Sequence, residues 1–69
     1  MSAPTANPTR QDNIRQYHSD KATFLDLGYG EYYVEVVEGM DLKGRSDAEV
    51  AAKLDQAREE VWEVVNADL

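Results

Sequence analysis

Gly28-Tyr29-Gly30-Glu31-Tyr32-Tyr33-Val34-Glu35-Val36-Val37-Glu38 is the stretch on which the fold turns. Its two glycines give the backbone freedom for a tight reversal, and the residues that follow are rich in β-formers. Tyr32, Val34 and Val36 would lie on one face of a strand, with Tyr33, Glu35 and Val37 on the other. Just upstream, residues 22–27 alternate in part, with Thr23, Leu25 and Leu27 opposite Phe24 and Asp26. The two runs predict a β-hairpin. Gly39 ends the second strand, and residues 40–43 make a short third strand before Gly44 turns the chain.

Downstream, residues 46–69 predict one long helix. Ser46 precedes the apolar run and Glu49 follows three residues later, the spacing at which each side chain satisfies the other's free backbone N–H. Asp47 adds negative charge at the positive end of the helix dipole. Val50, Leu54, Ala57, Val61 and the pair Val64 and Val65 recur at steps of four and three and so share one stripe. The hairpin face carrying Leu25, Leu27, Tyr32, Val34 and Val36 is the expected bed for that stripe.

Upstream, residues 1–9 hold both prolines among small polar residues, a composition too poor in apolar surface to offset the entropy of ordering. Residues 10–20 are polar, with Ile14 and Tyr17 as the large apolar exceptions. Their spacing suits a short helical turn, which Thr9 and Asp12 could cap. The expected fold is therefore α+β: a β-hairpin, with a third short strand, packed against one long C-terminal amphipathic helix. Residues 1–20 form a flexible N-terminal arm and residues 21–69 a small ββ(β)α domain.

Sixty-nine residues lie near the lower limit for a self-sufficient core, and without cysteine neither disulfides nor thiolate metal sites can help. A homodimer or a partner protein is the remaining source of stability. Fourteen acidic against seven basic residues give a net charge of -7, which repels phosphate backbones and suits a basic protein partner. A salt-adapted cytoplasm would produce the same acidic surface. No apolar run resembles a signal peptide or a membrane span, so a cytoplasmic protein, or a virion component if viral, is expected.

Candidate sites follow from the same residues. Glu59, Glu60 and Glu63, with Asp68, crowd the C-terminal half of the long helix, where they oppose its dipole. They are either a solvated face or a docking surface for a basic protein. Trp62 falls on the flank of the apolar stripe, and Arg58 one turn earlier can lie over its ring. It either widens the core face or anchors an interface. Glu31 and Glu35 make the hairpin acidic, which turns Tyr29, Tyr32 and Tyr33 away from base stacking and towards cross-strand packing. His18 is the sole histidine and lacks a second ligand. With no catalytic set and no phosphate-cradling loop, neither an enzyme nor a cofactor is expected.

From Tyr32 onward the chain resembles the N-terminal domain of HicB-type antitoxins. Tyr32-Tyr33-Val34-Glu35-Val36 stands where that family has its second strand, and Gly44-Arg45-Ser46-Asp47-Ala48-Glu49-Val50 where its helix begins. Ala57-Arg58-Glu59 stands where that helix continues. The likeness spans residues 22–65. It departs at Glu38-Gly39-Met40, where a Pro-Gly turn belongs, at Val50, where alanine is usual, and in lacking a DNA-binding half. The resemblance implies a partial RNase-H-like fold that covers a small basic toxin, without operator binding.

The expected function is a small acidic, non-enzymatic protein-binding module. In one version it is an antitoxin-like or phage-type inhibitor that occludes a basic partner through Glu31, Glu35, Glu59, Glu60 and Glu63, beside Arg58 and Trp62. In the other it is a structural accessory subunit of a larger assembly such as a virus particle.

Overall fold

The computed structural model describes residues 8–69. The described residues form three helices: α1 over Arg10–Asp26, α2 over Gly30–Gly39 and α3 over Asp47–Asp68. Among the described residues there is no strand, so the fold is all-α and the expected α+β hairpin is corrected. The same finding removes the third strand over residues 40–43 and the partial RNase-H-like fold that the antitoxin resemblance implied. Residues 10–20 of the expected arm belong to α1, and residues 1–7 lie outside the described residues.

Both long helices start on capping boxes. Thr9 Oγ1 accepts from the Asp12 N–H at 3.1 Å while Asp12 accepts from the Thr9 N–H at 3.1 Å. Ser46 and Glu49 repeat the arrangement at 3.2 and 3.4 Å, so α3 begins where its sequence places it. The first box caps seventeen residues of helix rather than a single turn.

The glycine turn explains the missing hairpin. Gly28 does adopt the left-handed backbone, at φ 87°, but as the cap of a helix. The Gly28 N–H donates to the Leu25 carbonyl at 3.1 Å and the Tyr29 N–H to the Phe24 carbonyl at 2.7 Å. That pair of bonds is the Schellman motif, which closes α1. A positive-φ glycine serves a hairpin turn and a helix end equally, so the residue alone could not decide between them.

Residues 30–39 are helical for a reason that alternation hides. Glu31, Glu35 and Glu38 lie at steps of four and three, all exposed, while Tyr33 and Val37 are buried on the opposite side. The apolar residues fit period two and period 3.6 alike, and burial of Tyr33 and Val37 overrides β propensity. The expected bed for α3 is corrected with it. Leu25, Leu27 and Tyr32 are exposed, and Val34 and Val36 are half-buried.

The core is small: Phe24 from α1, Tyr33 and Val37 from α2, and Leu54, Ala57, Val61 and Val65 from α3. Phe24 meets Tyr33 at a ring separation of 5.3 Å and Trp62 edge-on at 5.1 Å. Asn13 Nδ2 donates to the Asp47 carbonyl at 2.9 Å, tying the starts of α1 and α3 together. The Tyr29 hydroxyl donates to the Asp68 carboxylate, tying the end of α3 to the α1–α2 turn. Thus α1 and α3 run parallel, in direct contact, and α2 returns antiparallel against both. At its first residue α2 comes against α1 so closely that a Cβ on Gly30 would lie 2.8 Å from Leu25 Cδ1.

Candidate protein-binding surface

On the face where α1 and α2 meet lies a groove of about 480 Å³, lined by Lys21, Leu25, Gly30, Glu31, Val34 and Glu35. Lys21 and Leu25 are one turn apart on α1, and Glu31 and Glu35 one turn apart on α2, so each pair projects from one side of its helix. Leu25 is 65 % exposed, the most exposed large apolar residue within any of the helices. Lys21 Nζ sits 6.0 Å from the Tyr17 ring centroid, which holds it beside the groove. The surface therefore offers an apolar contact rimmed by two carboxylates and one ammonium.

The remaining candidate residues are dispersed. Glu59, Glu60 and Glu63 are exposed on α3 and line no groove with Glu31 and Glu35. Arg58 does not cover Trp62: its guanidinium pairs with Asp55 at 3.1 Å. Trp62, 36 % exposed, has its ring edge-on against Phe24, so it closes the side of the core. Exposed His18 stands edge-on to Tyr17 at 5.5 Å. Among the described residues no three His, Cys, Asp or Glu side chains are placed to hold a metal. No helix among them is long and apolar enough to cross a membrane.

Beneath the surface lies a polar cluster that sequence reasoning missed. Asp20 is 6 % exposed and accepts from Gln16 Nε2 at 2.9 Å through one carboxylate oxygen only. Its second oxygen and the hydroxyl of fully buried Tyr33 have no hydrogen-bond partner. Burial pushes the Tyr33 phenol well above its ordinary ionisation range, and the nearby Asp20 carboxylate pushes it further. Tyr29 is raised for another reason, its hydrogen bond to the Asp68 carboxylate. Asp12 is lowered, chiefly by the bond it accepts from the Thr9 amide.

Lys21, Leu25 and Val34 meet in the groove because their segments are helical, where a strand reading of residues 22–38 keeps them apart. Their signal was the helical spacing of Glu31, Glu35 and Glu38 in an apolar run. No family model, curated protein or solved structure matches the chain.

Proposed function

We propose that this chain is a non-enzymatic module that works by binding another protein, and that the α1–α2 groove receives a basic, partly apolar segment of that partner. The observation that carries this is Leu25, 65 % exposed in a groove whose α2 rim is Glu31 and Glu35. Apolar surface left in water is free to gain from burial, at roughly 25 cal/mol per Å². The two carboxylates select a partner of opposite charge. The exposed Glu59, Glu60 and Glu63 extend the negative field that draws such a partner in.

The test compares wild type with a Glu31→Lys/Glu35→Lys variant as baits in host lysate at low and high salt, with captured proteins identified by mass spectrometry. A basic protein held by wild type at low salt, and lost on charge reversal, is the expected result. Capture that is indifferent to both salt and the reversal would overturn the assignment.

A further inference from the structure

A second groove of about 480 Å³ lies at the opposite end of the molecule, between the start of α1 and the α2–α3 connection. Its rim carries Arg10, Lys43 and Arg45, three of only seven cations in an acidic chain, and Asp47 is its single carboxylate. Arg45 is already engaged, donating to the Asp41 carbonyl at 3.1 Å and pairing with Glu49 at 3.5 Å. Arg10 and Lys43 form no ion pair among the described residues, although the chain has fourteen carboxylates. The walls are apolar: Ile14 is 48 % exposed, and Leu42 and Val50 are half-buried.

The complementary surface is on the same chain. Towards its end α3 exposes Glu60, Val64 and Ala67 at steps of four and three, with Glu63 alongside. No basic residue stands in its last turn to offset them. We propose that these last turns of α3 dock in the Arg10–Lys43 groove of a second copy of the chain. Glu60 and Glu63 meet the two unpaired cations, and Val64 covers Ile14.

Three features favour a second copy as the occupant. The charges are opposite in sign, and the apolar exposures match in kind. The small core among the described residues leaves a chain of this size with much to gain from further burial. Groove and ridge lie at opposite ends of the molecule, so the contact is head-to-tail and one copy can add to the next. Repulsion between copies of charge -7 is confined to about 8 Å at physiological salt, where close opposite pairs persist.

Sedimentation velocity on the full chain at physiological salt, from micromolar to millimolar, tests this with Arg10→Glu/Lys43→Glu and Glu60→Lys/Glu63→Lys. Arg10→Glu puts a negative charge in the first turn of α1, where the dipole favours it, and all four positions are exposed, so the variants should keep their helices, as circular dichroism will verify. Wild type is expected to gain mass with concentration. Each variant alone should weaken association at least about tenfold. Mixed in equal amounts, the two should regain it, because each presents the charge that the other's contact requires. A wild type that stays monomeric at millimolar concentration would overturn the proposal. So would association unchanged by either reversal, or a mixture that stays monomeric.

Discussion

Helices α1 and α3 begin on matching capping boxes and lie side by side in the same direction, yet they turn different chemistry inward. The buried stripe of α3 is Leu54, Ala57, Val61 and Val65. That of α1 is Asn13, Asp20 and Phe24. One helix is held by apolar volume; the other adds to buried Phe24 and half-buried Tyr17, whose ring meets Tyr33 at 5.7 Å, a cross-helix hydrogen bond from Asn13. A polar stripe can therefore dock a helix when its members find partners, as Asn13 does on the Asp47 carbonyl. Asp20 shows the limit, since only one of its oxygens is satisfied.

Removing the apolar contribution from each helix should break the fold most severely. Phe24→Ala is expected to cost about 3–5 kcal/mol and Leu54→Ala about 2–5 kcal/mol. Total stability for a chain of this length is roughly 3–10 kcal/mol, so Phe24→Ala should remove a large share of it and sharply lower the thermal transition seen by circular dichroism. A wild-type melt for Phe24→Ala would show that α1 does not depend on that one ring. A smaller effect, of opposite sign, is expected at Asp20. In Asp20→Asn an amide oxygen still accepts from Gln16 and no half-satisfied carboxylate is left in the interior, raising stability by about 1 kcal/mol. A lower melting temperature for that variant would mean the carboxylate is needed as it stands.

The smallest effects belong to the caps, where Thr9→Ala and Ser46→Ala should each cost about 1 kcal/mol. The Thr9 box also carries a pH signature. Asp12 ionises below its ordinary value of 3.8 in the folded chain. Its contribution is therefore complete above that value and is lost as pH falls through the lowered one. Amide exchange in the first turn of α1 should accelerate over that acid range in wild type and change less in Asp12→Asn. Identical acid profiles would remove Asp12 from the cap's energetics.

These contrasts explain what was legible in the sequence. For α3, the Ser46–Glu49 box and an uninterrupted apolar stripe state the same answer twice. In α1 only the Thr9–Asp12 box was visible, because hydrophobic periodicity is silent when Asn13 and Asp20 point inward. In α2, Tyr32 to Val37 satisfied both periods, and β propensity chose the wrong one; the glutamate spacing was the better guide. The candidate site was legible to the extent that Glu31 and Glu35 stand on its rim. Its apolar partner Leu25 lies on another helix, and only tertiary structure brings the two together.

Gly30 gives the groove a further property. A methyl there would press on Leu25 Cδ1 at 2.8 Å and on Leu25 Cα at 3.1 Å, the second of which cannot swing aside. Alanine at this position would act as a shim between α1 and α2, altering the width of the groove while leaving Lys21, Glu31 and Glu35 chemically untouched. Shape and charge are thus separately adjustable on this surface. A partner's demand for one can be measured without disturbing the other.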